Sequence, residues 1–228
     1  MNNDDIYNQL EDGIIILQNL IKKYKTDKNI EIELRLGQIE IKSFKSGLNS
    51  IDFYNKIKDN LNSCKDWEST TCITSEDIVN NEIRKTIFIG DSKIVKPVCI
   101  KKQKLHKIDL IYDNTPYDIR IAISKEIPID TKIKTGITRK KIRNSYIYKD
   151  YSLDLTRVIT VDNTVSTETY EFELELLNLD NDVSDIYRAH SAFLLIRDVI
   201  NMCETINVDS KLILDNVSIS GLIESLKI

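Results

Sequence analysis

Residues Asn29–Gly37 read N-I-E-I-E-L-R-L-G, and residues Tyr170–Leu177 read Y-E-F-E-L-E-L-L. Both alternate with a period of two, the period at which successive side chains of a β-strand point to opposite faces. Glu31, Glu33 and Arg35 therefore share one face, and Ile30, Ile32, Leu34 and Leu36 the other. In the second stretch Glu171, Glu173 and Glu175 oppose Phe172, Leu174 and Leu176. One such strand is what an antiparallel sheet with a wet face looks like. Two are harder to accommodate, because carboxylates ~6 Å apart repel by roughly 3 kcal/mol at an effective dielectric of 20, and glutamate is a poor strand former. Glutamates alternating on two strands are either screened on exposed faces or compensated by a cation. Mg²⁺ and Mn²⁺ are held by a few carboxylates together with phosphate oxygens, and such a site calls for basic residues at alternate positions as well.

The chain supplies them. Arg139, Lys141 and Arg143 in I-T-R-K-K-I-R-N-S-Y share one face of a predicted strand. Arg84 in E-I-R-K-T-I, Lys101 and Lys102 in C-I-K-K-Q-K, and Arg120 in Y-D-I-R-I-A-I-S-K-E also fall on predicted strands. Any one of these has a solvated strand face as its plainest reading. Taken with two acidic strands, they suggest a pocket for a polyanion and a metal, since Arg and Lys neutralise phosphoryl oxygens that the metal bridges.

With 228 residues the chain is long enough to bury a substantial core as a single domain, residues 1–228. Its formal net charge of -4 excludes a protein built to coat duplex nucleic acid through a basic excess. No apolar run is long enough to span a bilayer, and the polar start Met1–Asp5 lacks the pattern of a secretory signal, so an intracellular protein is expected. Cys64, Cys72, Cys99 and Cys203 show no C-x-x-C spacing, which argues against a zinc site or a redox pair. His106 and His190 are the only histidines, and histidine-centred acid–base chemistry is correspondingly disfavoured.

Ile6, Leu10, Ile14, Leu17, Ile21 and Tyr24 recur at helical spacing, so the spacing predicts an opening amphipathic helix that ends near Lys25. Ile51, Tyr54, Ile57 and Leu61 predict a second, shorter helix, and Ile186, Ala189, Phe193, Ile196 and Ile200 a third, capped by Asp182 or Ser184. Strands are expected over 29–41, 67–74, 83–89, 98–110, 117–124, 137–148, 151–161 and 169–177, with turn signals at Gly90-Asp91, Asn114-Thr115-Pro116, Pro128 and Asp162-Asn163. The segment Val208–Ile228 is apolar enough to be ordered but has no assigned element. Antiparallel strands in this number either pack as two sheets or close into a barrel. A closed barrel with its charged faces inward would need covering outside, and the predicted helices could provide it.

Four of these motifs, in this order, resemble the triphosphate tunnel metalloenzymes, specifically the metal-dependent RNA 5′-triphosphatases of fungi, protozoa and large DNA viruses. Glu31-Ile-Glu33-Leu-Arg35 resembles the family's E-x-E-x-basic motif, and Glu171-Phe-Glu173-Leu-Glu175 its E-x-E-x-E motif. Arg139, Lys141, Arg143, Ser145 and Tyr146 match R-x-K-x-R-x-S-aromatic, and Asp154-Leu-Thr156-Arg-Val158 matches D-[LI]-T-x-V. Relatives often carry arginine two residues before that aspartate, where this chain has Ser152.

The resemblance implies an α+β, mainly β fold: a closed antiparallel barrel of eight strands with helices outside and a hydrophilic interior that holds the triphosphate. It implies Glu31, Glu33 and Glu175 as ligands of Mg²⁺ or Mn²⁺, and Glu173 as the residue that orients or deprotonates the attacking water. Arg84, Lys101, Lys102, Arg120, Arg139, Lys141 and Arg143 would bind phosphate oxygens, with Arg84, Lys141 and Arg143 counted in the catalytic set. Glu126, Asp154 and Glu171 would support them, Glu171 alternatively as a metal ligand or as a solvated residue at the barrel's end. The implied activity is removal of the γ-phosphate from the 5′-triphosphate of nascent RNA, the first step of mRNA capping, with NTP as a further substrate. Guanylyltransferase and methyltransferase activities would sit on other domains or subunits, because no K-x-D-G nucleotidyl-transfer motif occurs here. The location would be the cytoplasm, a viral factory or the nucleus, and the Asn, Ile and Lys richness fits an AT-rich genome such as that of a large DNA virus. Two other readings are a tripolyphosphatase or thiamine triphosphatase of the same superfamily, and a non-catalytic β-sandwich binding module with screened acidic faces.

Overall fold

The computed structural model describes residues 3–41, 43–90, 96–112, 115–130, 133–162 and 164–204. Cys203, the segment 208–228 and parts of three expected turns, at Asp91, Asn114 and Asn163, carry expectations that lie outside the described backbone or side chains. Among the described residues nine strands and three helices follow in the order α1 (Asn3–Tyr24), β1 (Ile30–Glu40), β2 (Ser43–Ser46), α2 (Ile51–Ser63), β3 (Ser69–Asn80), β4 (Ile83–Ile89), β5 (Val98–Leu110), β6 (Asp118–Pro128), β7 (Ile137–Tyr148), β8 (Tyr151–Asp162), β9 (Val165–Leu176) and α3 (Asp185–Glu204).

Every strand pairs antiparallel, in the order β2-β1-β6-β5-β4-β3-β7-β8-β9, and β9 returns to β1. The β1–β9 seam sets Glu33 against Glu175 and Arg35 against Glu173, so the two acidic stretches that define the sequence lie side by side. Eight strands thus close a barrel. The short β2 lies outside this circle and continues the seam, pairing with β1 from Gly37 to Glu40 where β9 has left it. A barrel abolishes free edges, and the sandwich alternative does not apply.

Parity places the charges inside. Ile32, Leu34 and Leu36 of β1, Ile119, Ile121 and Ile123 of β6, Leu153 and Leu155 of β8, and Phe172, Leu174 and Leu176 of β9 are buried on the outer face. They pack beneath the helices with Leu17, Leu20 and Ile21 of α1, Tyr54, Ile57 and Leu61 of α2, and Phe193, Ile196 and Val199 of α3. The main apolar core therefore lies between the barrel and its helices. Coverage is one-sided. On β3, β4 and β5 the only buried side chains are the inward-facing Ser75, Asp77 and Ile100, so that wall has solvent on its outer face except at the end of β5, where His106 meets Tyr24 of α1 and Ile108 and Leu110 pack on the core.

Several features depart from the periodicity: β2 falls outside the expected strands, and β6 runs four residues past Ser124 to Pro128, which ends the strand and brings Glu126 into it. β3 extends six residues past the expected Thr74, which brings Asp77 into the sheet. β9 begins four residues before the expected Thr169. On β5 the register slips between Lys104 and His106, a bulge that turns Lys107 and Asp109 inward where uninterrupted alternation would turn them outward. The helices stand where their spacing predicts them. Ser50 caps α2 by accepting the amide of Phe53 at 3.3 Å, and α3 starts one residue after Ser184.

Gly37 allows the β1–β2 turn to fold against the barrel. A Cβ there would stand 2.3 Å from the Lys45 carbonyl oxygen and 2.6 Å from the Phe44 ring. Phe44 in turn lies under the Arg120 guanidinium, 4.2 Å from it. Gly37→Ala is expected to cost ~1–3 kcal/mol, in the range of other overpacked sites, read as a lower urea midpoint at unchanged slope. An unchanged midpoint would show that β2 can lift off without loss.

Candidate active site

The inward residues of the eight strands enclose a cavity of about 270 Å³. It has room for a chain of phosphates but not for a nucleic acid duplex. Its walls carry Glu31, Glu33, Asp77, Glu126, Glu171 and Glu173 among Arg35, Arg84, Lys102, Arg139, Lys141 and Arg143. Asp154 and Glu175 face the same way, through their pairing with Glu173 and with Glu33 and Ser152. Acids therefore outnumber bases within the walls.

The pairs interlock. Arg35 reaches Glu33 at 2.6 Å and Glu173 at 3.1 Å, and Arg143 joins Asp154 at 2.8 Å to Glu173 at 3.2 Å. Arg84 donates to Glu126 at 3.0 Å and Arg139 to Glu171 at 2.8 Å. Lys102 is hydrogen-bonded to Glu31 and lies 3.4 Å from Glu126 and 3.8 Å from Glu33. Ser124 also donates to Glu31, at 2.7 Å.

The carboxyls divide by environment. Burial alone would raise Glu173, but Arg35 and Arg143 outweigh it and hold the group down to about 2. Burial likewise opposes ionisation of Glu31, and the Lys102 ammonium with the Ser124 hydroxyl keeps it below its usual value. Glu33 is raised to about 7 by burial and then by Glu173 and Glu31, against Arg35 and Lys102. Glu175 is raised to about 8 by burial, with Glu31, Asp154 and Glu33 adding to it. It accepts no hydrogen bond from any described residue, since Ser152 opposite donates to Asp154 at 2.7 Å instead. A longer cation at position 152 would have faced it.

The donor set suits a hard divalent cation: oxygen ligands, negative charge in excess, and two carboxyls, Glu33 and Glu175, for which burial and neighbouring acids outweigh the nearby bases. Among the described residues no three such side chains already converge at metal-binding spacing, and Lys102 supplies the positive charge between Glu31 and Glu33.

All the expected site residues except Lys101 face the barrel interior or its mouths. Lys101 pairs across from Ile83 and Ile127, points outward and meets Glu82 at 3.5 Å. The correction follows from parity, since neighbours on a strand cannot share a face. Arg120 is inward but stands at the far mouth, clasped by Asp109 at 2.6 and 2.9 Å. Glu171 engages Arg139 in place of solvent. Missing from the sequence-based set is Asp77, 1% exposed, which holds Lys141 at 2.5 Å and accepts from the Thr86 hydroxyl at 2.7 Å. Its signal in the sequence is the alternation Ser75-x-Asp77, hidden because the strand pattern fades after Thr74.

Burial, with Arg139 and Arg143 adding to it, lowers Lys141, and Asp77 opposes them. Asp77→Ala would leave that ammonium buried without its partner, a change expected to cost ~3–5 kcal/mol. A denaturation midpoint equal to wild type would show that the pair does not support this wall. The raised carboxyls give a second expectation. Glu33 and Glu175 hold protons more tightly folded than unfolded, so their contribution is complete below about 4.5 and is lost as pH rises through about 7 and 8. The melting temperature in chelator should fall over that interval, and Mg²⁺ or Mn²⁺ should raise it more at the alkaline end. Equal stabilisation at both ends would contradict these carboxylates as the cation's ligands.

Comparison with known proteins bears on the same region. The family described as "mRNA capping enzyme, beta chain" matches residues 89–207, just over half of the chain. The mRNA-capping enzyme subunit beta of Schizosaccharomyces pombe is 30% identical over 109 residues, 46% of this chain and 35% of that protein. This chain thus spans about a third of that curated relative's length. Among solved structures, the S. pombe Pct1 RNA triphosphatase superposes with a TM-score of 0.70 at 20% identity, over 84% of this chain and 92% of that one. The same protein in complex with the Spt5 CTD gives 0.71 at 20% identity, over 83% and 92%. The fold is that of the triphosphatase structure, and the chain belongs to the mRNA capping enzyme beta-chain family.

Proposed function

We propose that this protein is a divalent-metal-dependent polynucleotide 5′-triphosphatase that removes the γ-phosphate from the 5′ end of nascent RNA, the first step of mRNA capping. The observation that carries the reading is the seam, where Glu33 and Glu175 stand opposed and beside Glu173, facing Arg84, Lys102, Lys141 and Arg143 across the cavity. Family membership supports it. Carboxylates concentrated on β1 and β9, with Arg35 among them, and bases on β4, β5 and β7 divide the work that phosphoryl transfer needs, a place for the nucleophile and neutralisation of equatorial oxygens.

Arg84, Lys102, Lys141 and Arg143 bind the phosphate oxygens and hold the γ-phosphoryl in line. Glu126 and Asp154 keep the guanidinium groups of Arg84 and Arg143 extended into the cavity. Glu173, ionised at any working pH, accepts a hydrogen bond from the attacking water and orients it. Its low pKa makes it a weak base, so positioning is its contribution. Glu31, Glu33 and Glu175 would hold Mg²⁺ or Mn²⁺, which when bound neutralises charge on the transferred phosphoryl group. Ser152 leaves Glu175 without a basic neighbour across the β8–β9 ladder, which raises its reliance on that cation.

The proposed setting is intracellular, cytoplasmic or nuclear, with guanylyltransferase and methyltransferase on partner domains or subunits. Among the described residues no helix is long and apolar enough to cross a membrane. An Asn-, Ile- and Lys-rich composition accords with a viral source.

The test is γ-phosphate release from 5′-triphosphorylated RNA, with and without Mg²⁺ or Mn²⁺. Wild type should show metal-dependent release, and Glu33→Ala and Glu175→Ala should lose it by a factor on the order of 10² or more, as for other groups aimed at the transferred charge. Both variants should keep the circular dichroism of the folded chain, because neither side chain belongs to the outer apolar core. Release from tripolyphosphate but not RNA would move the protein to the inorganic-substrate branch of the superfamily.

A further inference from the structure

The inward face is mostly polar; Val79, Ile147 and Val158 are apolar positions scattered on it, whereas four others stand together at the cavity. Ile73, Phe88, Val98 and Ile100 line the cavity. They lie toward the end where β1, β3, β5 and β8 begin and β4, β6, β7 and β9 finish. Phe88 pairs with Ser75, so Ile73 is its diagonal neighbour across β3. Val98 pairs with Thr86, so it is the diagonal neighbour across β5. Diagonal positions are within reach of an aromatic ring. Ile100 is 7% exposed and forms the floor, whereas Ile73, Phe88 and Val98 are 39%, 37% and 46% exposed. The opposite mouth presents Lys104, Lys107, Arg120 and Asp109 on the inward face.

An apolar lip half open to solvent costs hydration free energy and gives nothing to a core it does not touch. It is continuous with the phosphate site. Phe88 lies four residues along β4 from Arg84, about 13 Å of strand, and on β3 Ile73 pairs with Arg143. A chain of phosphates gripped by Arg84, Lys141 and Arg143 therefore has its next group beside the ring. At this end the lining turns from charged to apolar, as a 5′-triphosphorylated nucleoside does on passing from phosphate to base.

Resting on the proposed activity, we infer that the Phe88 mouth is where RNA enters, and that the Phe88 ring stacks on the first base with Ile73 and Val98 at its sides. A ring and aliphatic flanks offer no base-edge hydrogen bonds, so the subsite accepts all four bases, as stacking platforms do. The basic far mouth carries no part of the RNA.

Steady-state hydrolysis of a short 5′-triphosphorylated RNA and of tripolyphosphate, by wild type, Phe88→Ala and Phe88→Trp, tests this. Phe88→Ala should raise KM for the RNA about tenfold, within the range of one lost stack, with kcat within about twofold and tripolyphosphate unaffected. Phe88→Trp should keep the wild-type KM, which a merely structural role for Phe88 would not. Equal kinetics of Phe88→Ala and wild type on RNA would overturn the lip while leaving the triphosphatase intact. A rise in KM confined to Lys104→Ala and Lys107→Ala would place entry at the other mouth. A wild type active on tripolyphosphate but silent on RNA would overturn the activity and the lip with it.

Discussion

The constraint on which this fold depends is the burial of charge between two neighbouring acidic strands. Glu31, Glu33, Glu173 and Glu175 share one seam, and unpaired carboxylates in such a place would convert to their neutral form or expel the strands. Arg35 and Arg143 settle Glu173, and Lys102 settles Glu31. Glu33 and Glu175 are left incompletely matched, which is why their protons are retained toward neutral pH. The unsatisfied part of the network coincides with the part that chemistry would use.

The inversion of the barrel follows from the same constraint. Outward Leu34, Ile121, Leu174 and their neighbours could not form a core with one another once the charged faces had closed inward, so α1, α2 and α3 provide one. The helices stabilise by ordinary apolar burial, so behind them the interior does not have to supply the core. Side chains such as Arg84 and Lys141 can be arranged for an anion because the fold's main stability lies elsewhere.

The sequence made this architecture legible through periodicity. Strict alternation in β1 and β9 assigned their faces, and the closed barrel bears out the reading that acids and bases share an interior. Helical spacing located α1, α2 and α3. Obscured features were those that break a period or extend one weakly. The bulge at Lys104/His106 reverses parity with no local turn residue, and β2 is four residues long. Ser-Glu-Asp-Ile-Val at the end of β3 has no alternation strong enough to show that Asp77 is inside. Lys101 and Lys102 stood as an undivided pair because the inward one is chosen by register, which a lone strand does not reveal.

The uncovered wall of β3, β4 and β5 has a consequence for cooperativity. Apart from the end of β5, where His106, Ile108 and Leu110 meet the α1-covered core, those strands have no helix on their outer face, and toward the interior they bury only Ser75, Asp77 and Ile100. Their cohesion comes from ladder hydrogen bonds and from ion pairs that span the lumen, such as Lys102 with Glu31 and Arg84 with Glu126. Whatever fills the lumen acts on this half of the barrel as a core acts on the other half. Occupancy and local rigidity are then linked quantities: an empty barrel has one firm side and one that opens more readily, and a bound polyanion completes the domain it enters.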